Sequence, residues 1–423
     1  MFKPSIYNII HMSTSGKKYL YNSRTKASMN INNELNLSFL ENMNDFDKLN
    51  LENKKMLIDN GFFIPESTDE LAEVSYLFND IYFEDDQSTI VLVPTLRCNF
   101  KCPYCFEKGH STAEENPHYF EILKQHCDKY FKHKKFVKLS LFGGEPLILA
   151  DKMFDYLEYV LQDSKKNDYK LLTNITTNGS LLTEEIIEKL KRYNLTSLQI
   201  TLDGNRESHN KTRIYHDGRP SFDILINNIK MLLDKTKDYD FEFILRINLI
   251  NREPDSLVDV LNCFEQQYRD RINVMIRPVY NTKDYHEKNS NDKSELEQFY
   301  NVAEQMHYKI SKNKYYYQPC EACADSRFFY LMPDMSMWKC INDLSYEPAC
   351  IGHMENDGSL FTNSKNIVDW YKAANCFNDP KCIGCKHLPD CFGGCVLYKR
   401  KNGKRSCKTF DMTCLPFCIK DEK

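Results

Sequence analysis

The sequence predicts an α/β protein centred on a parallel sheet that curves toward a barrel. A small α+β module precedes it and a loop-dominated, cysteine-rich segment follows. Three observations predict this. Between Thr89 and Val279, six apolar strand candidates alternate with amphipathic stretches, the rhythm of repeated βα units. Polar, motif-like loops follow several of these strands, where ligands of such sheets sit. Ten of the seventeen cysteines fall after residue 339, so the end of the chain has a different chemistry from the rest.

In the N-terminal module, Ser5–Ile10 and Lys18–Asn22 read as a strand pair around the Gly-containing turn Ser13–Lys17. Leu35 to Asn60 has helical periodicity through Leu40, Phe46, Leu49, Leu51, Met56 and Leu57, and stops near Gly61. The central strands are Thr89–Thr95, Val137–Phe142, Lys170–Thr176, Ser197–Leu202, Phe241–Ile250 and Ile272–Val279. The helical stretches between them are Pro117–Phe131, Asp151–Asp163, Thr183–Tyr193, Ser221–Lys235 and Pro254–Tyr268, and a helix over Ser294–Lys312 leaves this region. Beyond Lys314, Cys, Gly and Pro punctuation with little periodicity predicts loops that need inorganic staples. The expected domains are 1–85, 86–313 and 314–423.

Fifty-six basic against sixty acidic residues give a formal charge of −4, which makes no electrostatic case for nucleic acid or an anionic membrane. No apolar run approaches the roughly 18 residues of a membrane span. The start, MFKPSIYNIIHMSTSGKK, lacks a signal peptide's apolar core, so a cytoplasmic location is expected. In a reducing cytosol, dense cysteine points to metal rather than disulfides, and the odd count agrees.

The first strand runs into Pro94-Thr95-Leu96-Arg97 and then Cys98-x3-Cys102-x2-Cys105. Three thiolates in eight residues suit three corners of one iron–sulfur cubane and leave the fourth iron open to a small molecule. A zinc knuckle with a distant fourth ligand is the alternative. The second strand ends in Gly143-Gly144-Glu145-Pro146, where glycines admit close backbone approach to a ligand and a carboxylate can accept from an ammonium group. Taken alone, this loop is an ordinary turn. So are Thr176-Thr177-Asn178-Gly179 and Thr201-Leu202-Asp203-Gly204, the latter followed by His209 and Arg213. The tail carries Cys320, Cys323 and Cys340, then Cys382-x2-Cys385-x5-Cys391-x3-Cys395, then Cys407, Cys414 and Cys418. A zinc ribbon also uses four thiolates. Cys127 and Cys263 lie in helix patterns and read as inert thiols. Cys350 and Cys376 receive no role, no histidine is assigned a metal, and Met332, Met335 and Met337 read as packing around a cluster.

The cysteine loop and the Gly-Gly-Glu-Pro loop together resemble the radical S-adenosylmethionine (SAM) superfamily, which implies a partial (β/α)6 barrel. By that resemblance Cys98, Cys102 and Cys105 hold a 4Fe–4S cluster whose open iron is chelated by the cofactor's methionine moiety. Gly143, Gly144 and Glu145 then take the methionine amine, Tyr104 lies beside the adenine, Thr201 and Arg213 contact ribose and carboxylate, and Val274 contacts adenine. The tail resembles the SPASM extension with two auxiliary 4Fe–4S clusters. The first is held by Cys320, Cys323, Cys340 and Cys395, the second by Cys382, Cys385, Cys391 and one of Cys407, Cys414 and Cys418. That makes three 4Fe–4S clusters plus SAM. The pattern's glycine five residues before Cys340 is replaced by Met335. The N-terminal module resembles the winged-helix-like recognition element of ribosomal-peptide maturases, which captures a leader peptide as an added strand. The implied function is radical modification of a precursor peptide by thioether or carbon–carbon cross-linking, with flavodoxin or ferredoxin as one-electron reductant. No catalytic acid or base is assigned. An anaerobic sulfatase-maturating enzyme is the alternative, against which stands Ile341, where those enzymes carry an acidic residue. A non-catalytic iron–sulfur scaffold is the second alternative.

Overall fold

The computed structural model describes residues 1–12, 18–30, 46–105, 107, 114–250, 254–278, 293–310, 325–342, 344–405 and 407. The chain divides into two compact units. One comprises Met1–Phe83, Lys312–Ser326 and Trp370–Lys423, the other Glu84–Ser311 and Arg327–Asp369.

At the N-terminus, β1 (Phe2–Pro4) pairs antiparallel with β5 (Phe63–Pro65). Strands β2 (Asn8–Met12), β3 (Lys18–Asn22) and β4 (Ser28–Asn30) form an antiparallel meander. The connection Ser13–Lys17 lies outside the described residues. So does the first part of the expected helix Leu35–Asn60; its remainder is a 3₁₀ turn, Phe46–Lys48, and helix α1, Leu51–Asp59. Asn50 separates the two, its side chain accepting from Asn53 N at 2.7 Å as an N-cap. Helix α2 spans Glu70–Phe83. Leu20, Leu57, Phe62 and Phe63 form the small core, and the fully buried Asn22 donates to Ser5, Asn8 and the Gly61 carbonyl above it.

The second unit holds β6 (Gln87–Leu92), α3 (Tyr119–Tyr130), β7 (Phe136–Leu141), α4 (Ala150–Asn167), β8 (Lys170–Thr177), α5 (Glu184–Arg192) and β9 (Leu195–Leu202). It continues with α6 (Arg206–Thr212), α7 (Phe222–Lys235), β10 (Glu242–Leu249), α8 (Pro254–Leu261), β11 (Ile272–Pro278), α9 (Lys293–Gln305) and β12 (Lys309–Ile310). Strands β6 to β12 are parallel and lie side by side in chain order. An order without reversal has no switch point, so all the βα loops gather at one end, as in a barrel wall. The apolar strand residues are buried in one continuous core with the inner faces of the helices.

Two expected helices are shorter than their periodicity suggests. Pro254–Tyr268 breaks after Leu261 and resumes only as the turn Gln266–Arg269. Ser294–Lys312 ends at Gln305; His307 then takes a left-handed φ of 64°, and the chain re-enters the sheet as β12. The cysteine-rich segment is also more regular than a run of loops. Strand β13 (Phe329–Leu331) pairs with β6, and β14 (Ser336–Trp338), β15 (Cys350–Met354) and β16 (Leu360–Thr362) continue the sheet antiparallel. These strands cover the β6 edge, which would otherwise present unpaired backbone groups. Met335 and Met337 accordingly belong to the barrel's core, a correction to their reading as cluster packing. Met335 also has φ 68°, the left-handed region that favours the glycine it replaces.

In the tail, helix α10 (Ser364–Ala374) is followed by the single turns Pro380–Ile383 and Leu388–Cys391 and by α11 (Val396–Asn402). Within the first unit, Phe78 of α2 meets Phe377 and Phe392 at ring centroid distances of 5.5 and 5.3 Å, and Tyr82 meets Tyr371. No helix among the described residues is long and apolar enough to cross a membrane.

Candidate functional site

The loops after β6 and β7 are locked together by backbone. Gly144 N donates to Thr95 O at 3.2 Å and Glu145 N to Arg97 O at 2.9 Å. A Cβ on Gly143 would stand 2.4 Å from Thr95 O, and one on Gly144 2.3 Å from Arg97 O. The crowding that excludes side chains from this turn therefore comes from the cysteine loop's own backbone.

Glu145 is fully buried. One carboxylate oxygen accepts from Thr177 Oγ1 at 2.7 Å and Leu147 N at 3.1 Å, the other from Asn178 N at 2.6 Å. Burial pushes its pKa up, and these donors only partly offset that. Asn178 in turn donates to Asn99 Oδ1 at 2.7 Å and approaches Cys98 Sγ at 3.7 Å.

Cys98, Cys102 and Cys105 occupy one tight loop, with Cys105 N bonded to Cys102 O. Burial drives the Cys98 thiol up to about 12, and the nearby Glu145 and Cys102 add to it. Phe100 N–H at 3.4 Å and the Asn178 amide oppose this by donating to the sulfur. A buried thiol with donors aimed at its sulfur fits a thiolate that needs a cationic partner, as iron of a cluster provides. Among the described residues no three Cys, His, Asp or Glu side chains converge as ligands of a single ion. A cubane instead spreads its ligands over separate corners.

On the far side of the loop, Tyr104 OH donates to Asp203 Oδ2 at 2.5 Å and receives Arg213 Nη1 at 3.2 Å. Thr212 Oγ1 and Asn248 Nδ2 also donate to Asp203, at 2.7 and 3.0 Å. His209 Nδ1 accepts from Asp203 N at 3.2 Å, which leaves Nε2 to donate to Ser221 Oγ at 2.9 Å. Burial, and then Arg213, hold this imidazole neutral with a pKa of about 3. His209 is thus a lock on the turn after β9. Thr201 is buried on β9 in register with Arg246. Val274 is buried on β11 and belongs to the core.

The structure therefore brings together Tyr104, Arg213, Gly143, Gly144, Glu145 and the three cysteines around the carboxyl ends of the strands. Three buried groups escaped the sequence reading. Asn248 on β10 carries no motif. Asp203 was visible only as part of a turn. Glu107 follows the cysteine loop; its Oε1 has no hydrogen-bond partner among the described residues, and burial with Glu145 nearby pushes its pKa up to about 7.

In the other unit, Cys376 and Cys382 are buried, Cys385, Cys391 and Cys395 half-buried, and Cys407 exposed. Cys391 lies within electrostatic reach of Cys382, Cys385 and Cys407, and Cys376 within reach of Cys382 and Cys391. Arg405, donating to the carbonyls of Ala373, Asn375 and Gly393 and to Asp379, supplies a buried positive charge that lowers the pKa of Cys376 and Cys382 against burial. Cys395 caps α11, its sulfur accepting from Tyr398 N at 3.5 Å. Cys340 belongs to the barrel unit. Cys320, Cys323, Cys414 and Cys418 lie outside the described residues.

Residues 92–263 match the Radical SAM superfamily, so the parallel sheet with its three-cysteine loop is a radical SAM domain. The radical SAM cyclopropyl synthase TigE of Paramaledivibacter caminithermalis is 25% identical over 268 residues, 59% of this chain and 53% of TigE. A cysteine-type anaerobic sulfatase-maturating enzyme of Clostridium novyi is 22% identical over 352 residues, 74% of this chain and 89% of the maturase. Streptococcus suis SuiB bound to precursor peptide SuiA has a similar fold (TM-score 0.50, 14% identity), covering 96% of this chain and 98% of SuiB. Native anSMEcpe with bound AdoMet and Kp18Cys peptide is likewise similar (TM-score 0.52, 18% identity), covering 73% and 89%. Residues 92–263 thus carry a radical SAM domain, and the relatives that share it are enzymes. The chain's match spans about half the length of the cyclopropyl synthase.

Proposed function

We propose that this chain is a cytoplasmic radical SAM peptide maturase with a radical SAM barrel over 86–313, a SPASM auxiliary-cluster segment over 314–423 and a leader-binding module over 1–85. The observation that carries the reading is the convergence of the three-cysteine loop with Glu145 and Arg213 at the carboxyl ends of the strands. When loaded with a reduced 4Fe–4S cluster and SAM, such a site supplies a 5′-deoxyadenosyl radical that abstracts hydrogen from the substrate.

The residues of this chain bind, orient and shield. Cys98, Cys102 and Cys105 are the ligands, and Phe100 N–H and Asn178 steady the first of them. Glu145 presents a carboxylate to the methionine ammonium, with Gly143 and Gly144 keeping its loop against the cysteine loop. Tyr104, Thr201 and Arg213 would contact the nucleoside and carboxylate, and Val274, whose side chain is buried in the barrel's core, would contact the adenine. In the tail, Cys320, Cys323, Cys340 and Cys395 hold one auxiliary cluster, and Cys382, Cys385, Cys391 with one of Cys407, Cys414 and Cys418 hold the other. SuiB and anSMEcpe, similar in fold, are each known with a bound peptide, which supports a peptide substrate here.

The test is an anaerobic incubation of reconstituted enzyme with SAM, a flavodoxin or ferredoxin reductant and short precursor peptides encoded beside it. Formation of 5′-deoxyadenosine together with loss of two hydrogens from the peptide and a new thioether or carbon–carbon bond is expected. A second reading, sulfatase maturation, draws on the match to the Clostridium novyi enzyme. Against it, the residue after Cys340 is the buried, apolar Ile341. Formylglycine in a sulfatase-derived peptide, with precursor peptides untouched, would replace the first reading by the second.

A further inference from the structure

Given Cys382, Cys385 and Cys391 as cluster ligands, as proposed above, we infer that the N-terminal module supplies the outer coordination sphere of that cluster through Asp390. Asp390 stands inside the ligand run, directly before Cys391, with its side chain fully buried. Its partners come from the other end of the chain, within the same compact unit. Tyr21 OH, on β3, donates to Asp390 Oδ1 at 3.1 Å. Lys26, in the turn between β3 and β4, places its ammonium on the same oxygen and donates to Pro389 O at 3.1 Å. Ser23 Oγ donates to Lys386 O at 2.5 Å, just after Cys385. The other carboxylate oxygen, Oδ2, is buried without a hydrogen-bond partner among the described residues.

A buried carboxylate needs a counter-charge, and Lys26 is the one that its ion pair provides. Groups around the ligands of an iron–sulfur cluster set its potential through net charge and hydrogen bonding. Asp390 and Lys26 bring one charge of each sign to the loop that carries Cys391, and the positive one belongs to the module. Tyr21, Lys26 and Asp390 are thus positioning residues, and the module does more than present a peptide.

The experiment uses full-length protein, anaerobically reconstituted, with iron content measured and each cluster followed by redox titration under electron paramagnetic resonance. Wild type should carry about twelve iron. Lys26→Met should keep that iron yet move the midpoint potential of one cluster to lower values, and Lys26→Arg should return it. Asp390→Asn should move the same cluster the opposite way and cancel the effect of Lys26→Met in the double variant. Loss of about four iron from Lys26→Met, restored in Lys26→Arg, would support the inference in a stronger form. Unchanged potentials in both single variants, with all clusters loaded, would overturn it and leave the proposed function standing. Wild type with only about four iron would instead overturn the tail-cluster reading itself.

Discussion

The two cysteine-bearing regions of this molecule are held by opposite means. Cys98 to Cys105 hang from a parallel sheet whose loops are cross-tied by Glu145, Asn178 and Asp203, all within 150 residues of one another along the chain. Cys382 and Cys391 sit on single helical turns, and the segment around them draws partners from Tyr21, Lys26, Phe78 and Tyr82 as well as from its own Arg405. The barrel site is thus a loop on a preformed scaffold, whereas the tail site is part of what holds its unit together. Local order in the first should survive loss of its metal better than in the second.

Removing residues 1–83 strains this comparison most. The reading of residues 1–85 as a leader-capturing module predicts that losing it leaves SAM cleavage intact and costs only modification of the precursor peptide. The structure adds that Phe78, Tyr82, Tyr21 and Lys26 leave with it. Iron should therefore fall by the tail's share while the barrel cluster stays. Twelve iron retained in the truncated protein would show that the tail builds its own site.

Glu145→Gln sharpens the barrel side. A charge-assisted bond is worth roughly 1.5–3 kcal/mol, so the dissociation constant for SAM should rise about ten- to a hundred-and-fifty-fold, with iron content unchanged. A glutamine NH₂ must also face donors at Thr177, Asn178 and Leu147, so thermal stability should drop by roughly 1–3 kcal/mol. Unaltered affinity in calorimetry would reduce this carboxylate to a tie between loops.

Acid should weaken the barrel unit through its neutral histidines. His126 is buried, with Nδ1 2.9 Å from Gly358 O, and burial lowers its pKa from 6.5 to about 4. Between those values the unfolded chain binds the proton and the folded one does not, so stability falls as pH drops from about 6.5 toward 4. A shift of this size corresponds to about 3 kcal/mol at the acid end. His126→Asn should flatten that slope in urea titrations at pH 7 and pH 5, and an unchanged slope would assign the acid sensitivity elsewhere.

Met335→Gly should have the smallest effect. Glycine relieves the left-handed backbone, worth roughly 1–2 kcal/mol, but removes a buried side chain worth roughly 2–5 kcal/mol. A net loss of about 1–3 kcal/mol is expected from denaturant midpoints; a gain would mean that strain outweighs packing at this turn.

What the sequence determined by itself is whatever short-range pattern can carry. Alternating apolar runs specify β6 to β11, because a buried strand needs apolar residues in succession. Cys98-x3-Cys102-x2-Cys105 specifies its loop, because eight residues suffice to bring three thiols together. Helix ends were less legible: nothing in Pro254–Tyr268 announces a break after Leu261, which depends on what the helix meets. Only the tertiary structure decided that Glu145 takes its bonds from Thr177 and Asn178, that Asp203 holds Tyr104 and Asn248, and that Lys26 answers Asp390 across 364 residues of chain. A buried charge must find an opposite charge or a donor, but pairing by proximity in space leaves no periodic trace in the order of residues.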